Sequence, residues 1–388
     1  MGVGQRIAAM PGVGSVRRPA GGAEFDLHYV RTGPAGDCPL VVLPGGPGLA
    51  SILPYRRLRI EATERELDVV MIEHRGVGLS RIGCDGADLP VSALTVGEVV
   101  DDIAVVLDAC GAERAVLYGS SYGSYLAQAF GARHPGRVAG MVLDSPMLTA
   151  EDDDLARTAL RSLYLGVVRE LVDGGLIPAD ESGAVVQVAH EFGGPVAARR
   201  LPRLVAGGRG RGLWTWLAGL GEAETARVVR YVMEFDLVGA IAFGELGYAP
   251  QPDGLPLDVN LSFARQAGDF PAFAGEPFDL PAELPRFGWP VAVLSGEWDI
   301  RTPRAVAERI VELAPDAVLV PLAETGHSAL DTHRLAALTA ARIVVAGAHH
   351  RLPGLADRLA ALPRRGGARL LGPLLWARLA LAAALPSR

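Results

Sequence analysis

No lysine occurs in the 388-residue sequence; all 37 of its basic side chains are arginine. Chemistry that needs a titratable amine is therefore excluded. No P-loop lysine can reach a nucleotide phosphate, and no lysine can form a Schiff base or a Ser–Lys dyad. Kinase-type nucleotide binding also depends on a strand lysine and is excluded with them. Cysteine is nearly as scarce. Cys38, Cys84 and Cys110 are odd in number and lack metal-ligand spacing, which argues against a disulfide scaffold in a chain of this size. No apolar run reaches the ~18 residues needed to cross a bilayer. The opening MGVGQRIAAMPGVG lacks the apolar core of a secretory signal. A soluble, cytoplasmic protein is the expectation.

What is present is ordinary globular composition, with 49% hydrophobic and 21% charged residues. The net charge of −7 argues against nucleic acid as the main partner. That charge is unevenly spread. Residues 351–388 carry seven arginines against Asp357 alone and sum to +6, leaving −13 for residues 1–350.

Short apolar runs alternate with helical stretches over the first 150 residues. Residues 39–43, 68–72, 114–118 and 139–143 read as strands buried on both faces, because each is continuously apolar. Residues 24–30 alternate apolar and polar, predicting a half-exposed antiparallel strand near a sheet edge. After Leu143 the sequence turns helical, with apolar spacing over 154–175, then GLWTWLAGL (212–220) and ETARVVRYVMEF (224–235). Residues 207–212 and 249–258 read as loops from their glycine and proline content. Strand patterns resume at 290–294 and 317–321, with a helix from Pro303 to Leu313 between them. This rhythm predicts an α/β fold: a mostly parallel sheet flanked by helices, with a helical cap inserted between two strands. The expected boundaries are 1–147 for the first part of the core, 148–286 for the cap, 287–350 for the second part of the core, and 351–388 for a basic, apolar tail.

Gly119-Ser120-Ser121-Tyr122-Gly123 fits G-x-S-x-G, follows a predicted strand and opens a helix. In that context the tight turn lifts Ser121 above the sheet as a nucleophile. A serine nucleophile needs a base and a group to orient it. Asp299 and His327 each lie just past a predicted strand, in the order Ser, acid, His, where open α/β sheets build their sites. Asp144 also ends a strand and stands as an alternative acid; Glu297 reads as a loop residue. For the oxyanion hole, the Tyr122 amide and one from Leu43-Pro44-Gly45-Gly46-Pro47-Gly48 are the candidates, with Gly46 the chosen donor.

The series GGPG (45–48), Arg75-Gly76-Val77-Gly78-Leu79-Ser80, the elbow, His134-Pro135-Gly136-Arg137-Val138, D-x-x-T-P (299–303) and Gly326-His327 resembles the α/β-hydrolase superfamily. Within it, the chain is most similar to the proline iminopeptidase and tripeptidyl-aminopeptidase group of serine peptidases. Two positions depart from the group's usual pattern. Pro44 stands where histidine is common, and Tyr122 where iminopeptidases usually have tryptophan. The resemblance implies an aminopeptidase acting on short peptides through an acyl-enzyme, with no metal or organic cofactor. The alternative is an esterase, lactonase or amidase acting on a small molecule. It also implies a cap carboxylate for the substrate's α-amine. Glu234, Asp236 and Glu245 are the cap acids considered for this. Of these, Glu234 and Glu245 would lie about three turns apart on a continuous helix, too far to hold one ammonium together. Trp214 and Trp216 are candidates for an apolar pocket. The tail combines Arg364, Arg365, Arg369 and Arg378 with LLGPLLWARLALAAALP, a composition suited to peripheral contact with an anionic membrane.

Overall fold

The computed structural model describes residues 2–225, 228–248, 251–259, 261 and 266–384. Eight strands form one sheet: β1 (Val13–Ala20), β2 (Ala23–Thr32), β3 (Leu40–Leu43), β4 (Val69–Ile72), β5 (Ala115–Ser120), β6 (Val138–Asp144), β7 (Val291–Gly296) and β8 (Ala317–Leu322). Their spatial order is β1-β2-β4-β3-β5-β6-β7-β8. The pairs β1–β2 and β2–β4 are antiparallel and the rest are parallel.

Every residue of β3, β4, β5 and β7 is buried. The two-residue period of a strand sends alternate side chains into different cores. Val41, Leu43, Val70, Ile72 and Leu117 enter one, packed with α3 (Val96–Ala109) and α4 (Tyr122–Arg133). Leu40, Val42, Val69, Met71 and Val116 enter the other, packed with α2 (Arg56–Thr63) and the helix Arg334–Val345. Burying each such side chain contributes about 1.5–3 kcal/mol. Strand β2 is antiparallel, as its alternation predicts, but second from the edge. The outermost strand β1 carries Gly14, Arg17, Arg18 and Pro19, and so lacks an apolar run that would mark it in the sequence.

Between β6 and β7 lie α5 (Asp152–Asp173), α6 (Ala179–Ala206), α7 (Arg211–Thr225) and α8 (Phe235–Gly244). Helix α6 is interrupted at Gly194, whose φ of 74° and ψ of 177° are not helical. Helices α5, α6 and α7 share an apolar core of their own, which the C-terminal helix Leu371–Ala384 completes with Leu375 and Leu379. The tail thus docks on the cap.

The helical pattern expected over 224–235 is corrected by the structure. Helix α7 ends at Thr225, residues 226 and 227 lie outside the described residues, and 228–234 form a short strap that turns at 230–232 and is closed by the Val229–Met233 bridge. The strap pairs through Leu49 and Met233. The Ala50 N–H donates to the Val232 carbonyl at 3.0 Å, and the Glu234 N–H to the Gly48 carbonyl at 2.9 Å. Pairing with the loop after β3 satisfies backbone groups that a helix would otherwise pair internally. The loop over 207–212 is shorter than expected, since α7 starts at Arg211. In the other expected loop, 249 and 250 lie outside the described residues.

Candidate active site

Strand β5 turns into α4 at Ser121, whose φ of 52° and ψ of −121° are strained for a residue with a Cβ. The turn is possible because its glycines leave no room for anything larger. A Cβ on Gly119 would lie 2.2 Å from the Gly123 carbonyl oxygen, and one on Gly123 would lie 2.0 Å from that of Leu43. The Ser121 N–H donates to the Asp144 carbonyl at 2.9 Å, tying the elbow to the tip of β6.

Asp299 follows β7 and is buried. It accepts from the N–H groups of Arg301 and Thr302 at 3.0 Å each and from the Thr302 hydroxyl at 2.9 Å. His327 follows β8, and its Nδ1 lies 3.1 Å from both Asp299 carboxylate oxygens. Burial pushes the Asp299 pKa up, but His327 and the donors around the carboxylate outweigh it and leave it below the ordinary value. Burial lowers the His327 pKa, and the Asp299 charge outweighs that, leaving the imidazole above its ordinary 6.5. Ser121, His327 and Gly46 line one cavity of about 220 Å³.

Asp144, the alternative acid, has a different partner set. Its Oδ1 accepts from the Ala329 N–H at 3.0 Å, and its Oδ2 from the Leu330 N–H at 2.8 Å and the Tyr118 hydroxyl at 3.0 Å. These amides begin the short helix that follows His327. Two serines reinforce the clamp: the Ser328 N–H donates to Ser145 Oγ at 2.9 Å, and Ser120 Oγ donates to Ser328 Oγ at 2.9 Å. Ser121, Ser145 and Ser328 all have positive φ. Three strained serines thus meet where the elbow, the end of β6 and the histidine loop converge. Glu297 instead accepts from the Glu324 N–H at the loop surface. His327 is the one histidine that lines this cavity among the described residues; His74, for example, is buried, and burial lowers its pKa to about 4.

At the proposed oxyanion hole, neither the Gly46 nor the Tyr122 N–H has an acceptor among the described residues. A Cβ on Gly45 would sit 3.3 Å from the Ser121 Cβ, so this loop reaches the nucleophile closely. From the cap side, the Tyr248 hydroxyl donates to the Gly46 carbonyl at 3.2 Å.

The cap residues chosen from the sequence are not brought to the cavity. Glu234 is buried, ion-paired with Arg81 and Arg230, and accepts from the Gly78 and Tyr231 N–H groups. Asp236 pairs with Arg81 as well. Glu245 accepts from the Val96 N–H at 2.6 Å, at the N-terminus of α3, where a negative charge suits the helix dipole. Glu234 and Glu245 cap the two ends of α8, and neither lines the cavity. Trp214 is buried in the cap core with its indole N–H donating to Glu181, and Trp216 lies beneath the Arg378 guanidinium.

The cavity instead receives Asp152 and Asp153 from the first turn of α5. Asp152 is occupied by the N–H groups of Leu148 and Thr149. Asp153 makes no hydrogen bond or ion pair among the described residues, and burial followed by repulsion from Asp152 raises its pKa to about 7. In the sequence these acids read as ordinary helix N-terminal charges, and only their position reveals them. Met147, Met233, Phe235, Leu246 and Tyr248 supply apolar wall.

Residues 39–183 match the family model described as the alpha/beta hydrolase fold. The chain has the α/β-hydrolase fold. It is 24% identical over 328 residues to a proline iminopeptidase of Neisseria meningitidis serogroup B, covering 81% of this chain and 91% of that protein. A solved proline iminopeptidase from Mycobacterium smegmatis superposes with a TM-score of 0.50 at 19% identity, covering 89% of this chain and 100% of that one. A Rhodococcus esterase gives the same TM-score at 18% identity, covering 86% and 98%. These structural likenesses support the fold alone.

Proposed function

We propose that this hydrolase is a serine aminopeptidase releasing N-terminal residues from short peptides. Ser121 attacks the scissile carbonyl carbon while His327 takes its proton. The Gly46 and Tyr122 amides receive the oxyanion, and His327 returns the proton to the leaving amine as the C–N bond breaks. Water, deprotonated by His327, then cleaves the acyl-enzyme and frees Ser121. Asp299 holds the imidazole so that Nδ1–H faces its carboxylate, and stabilises the imidazolium. The raised histidine pKa and the lowered aspartate pKa both suit this division of roles.

The observation that carries the peptide reading is Asp153: a carboxylate without a bonding partner among the described residues, in the cavity that holds Ser121 and His327. An α-ammonium brought beside it would lower its raised pKa and form the missing ion pair. The similarity to proline iminopeptidases agrees with this choice. The largely apolar wall supports a second reading, a small-molecule ester, lactone or amide.

Two measurements test these readings. A fluorophosphonate probe should label the intact protein and not Ser121→Ala; equal labelling of both would overturn the serine mechanism. Aminoacyl-naphthylamides should be cleaved with kcat/KM at least about tenfold above their N-acetylated forms, and Asp153→Asn should erase that ratio. If blocking the amine changes nothing while p-nitrophenyl esters turn over, the ester reading replaces the peptidase one.

A further inference from the structure

The loop Gly207-Gly208-Arg209-Gly210-Arg211-Gly212 has no part in the site above. It lines a second cavity, between the start of α7 and the C-terminal helix. This cavity measures about 660 Å³, within the range of small-ligand sites. Its floor is apolar, formed by Leu176, Val205, Leu213 and Ala382, with Leu381 at the edge. Among the described residues its charged lining consists of Arg209, Arg211 and Arg378, with no carboxylate.

Among the described residues these three arginines are unneutralised. None forms an ion pair with a described residue. The Arg378 guanidinium lies 4.4 Å over the Trp216 ring, and Arg209 gives one N–H to the Ala383 carbonyl at 3.0 Å. The Arg209 Nε–H is buried without an acceptor. A buried guanidinium donor with nothing to accept from it is costly, and clustering like charges beside an apolar floor adds to the cost. An anion at this point relieves both. The open N-terminus of α7, whose Arg211, Gly212 and Leu213 N–H groups have no acceptor among the described residues, carries potential of the same sign.

Outside the groove, the C-terminal helix keeps an apolar outer face. Leu374 there is 44% exposed, Leu381 at the groove's rim is 62% exposed, and between Leu371 and Ala384 the helix's one charge is Arg378. Arginines and apolar side chains lining the same cavity are complementary to a molecule with an acidic head and a hydrocarbon chain. A bare inorganic anion would leave the floor uncovered, and a neutral hydrocarbon would leave the guanidinium groups unpaired.

We propose that this groove binds an anionic amphiphile. Its carboxylate or phosphate head would be held by Arg209, Arg211 and Arg378, and its chain would lie against Leu176, Val205, Leu213 and Leu381. The chemistry is shared by a free acyl anion and by a lipid presented in a bilayer. The site is separate from the catalytic cavity and does not depend on the substrate assigned to it.

Calorimetric titration of the full-length protein with monomeric dodecyl phosphate, dodecanoate, inorganic phosphate and dodecylphosphocholine tests the proposal. The two anionic amphiphiles should bind at least about tenfold more tightly than either inorganic phosphate or the zwitterion. Arg211→Glu and Leu381→Asp both alter exposed side chains, so thermal unfolding should confirm that each variant is folded, and each should weaken dodecyl phosphate at least tenfold. A third variant, Arg378→Gln, guards against one of these failing to fold. Sedimentation with phosphatidylglycerol vesicles separates the sources: protein that pellets with vesicles takes a bilayer lipid, and protein that binds the monomer without pelleting takes a free amphiphile. Undiminished affinity in the folded variants, or inorganic phosphate binding as tightly as dodecyl phosphate, would overturn the assignment.

Discussion

Replacing Asp144 by asparagine should separate activity from stability. The isosteric amide keeps one acceptor oxygen but sets an NH2 group against a donor, either the Leu330 N–H or the Ala329 N–H, at sites now 2.8 and 3.0 Å from the carboxylate. A buried N–H left without an acceptor costs about 1–3 kcal/mol. Against this stands the burial of the wild-type charge. Burial raises the Asp144 pKa to about 6 despite its donors, so holding it ionised at pH 7 costs about 3 kcal/mol relative to an ordinary carboxylate. The two effects nearly cancel, and the melting temperature at pH 7.5 should move by only a few degrees. The local effect does not cancel, because the lost hydrogen bond anchors the segment that follows His327. A loss of about 1–2 kcal/mol in the transition state lowers kcat roughly 5- to 30-fold.

The pH dependence has a definite sign. With a folded pKa raised above the unfolded one, Asp144 contributes its full stability below the unfolded pKa and loses it as pH rises through about 6. The asparagine variant lacks that loss, so its melting temperature should gain on wild type between pH 4.5 and 7.5. Differential scanning calorimetry at both pH values, with kcat measured on the same samples, makes the test. An unchanged kcat, or melting temperatures that run parallel with pH, would refute the clamp. A loss as large as that of Asp299→Asn would refute it too, by making Asp144 the catalytic acid.

Because His327 titrates above 6.5, the acid limb of kcat/KM should fall above that pH; Asp299→Asn should move it to lower pH and cut kcat by roughly 10³–10⁴, read from pH–rate profiles. Tyr248→Phe removes a 3.2 Å hydrogen bond to the Gly46 carbonyl and should lower kcat for a p-nitrophenyl ester about fivefold while KM stays constant. Gly123→Ala should give no folded protein, since its Cβ would meet the Leu43 carbonyl oxygen at 2.0 Å. Gly166→Ala, in open space on α5, should raise stability by about 0.5–1 kcal/mol in a denaturant titration.

The parallel strands were legible because burial on both faces demands continuous apolar runs, and 39–43 and 114–118 have no other use for them. The elbow was legible because its two glycines answer to backbone contacts closer than any Cβ permits. Strand β1 was not, since a hydrogen-bonded edge needs no apolar pattern. The strap at 228–234 was missed because its valines, Tyr231 and Met233 are equally compatible with a helix, and pairing with the loop after β3 decides between them. Glu234 and Glu245 were plausible amine partners because the family resemblance implies a cap carboxylate. Their actual partners, Arg81 and the start of α3, lie about 150 residues away in the chain.

By itself the sequence determined the α/β architecture, the candidate nucleophile and the order of acid and base, because periodicity and turn chemistry are local and act within a few residues. Only the tertiary structure decided which carboxylate enters the cavity, which aspartate holds the histidine loop, and that the basic tail closes the cap core and leaves three arginines around an apolar groove. Those outcomes depend on contacts between distant segments, where burial and charge pairing choose among residues that look alike along the chain.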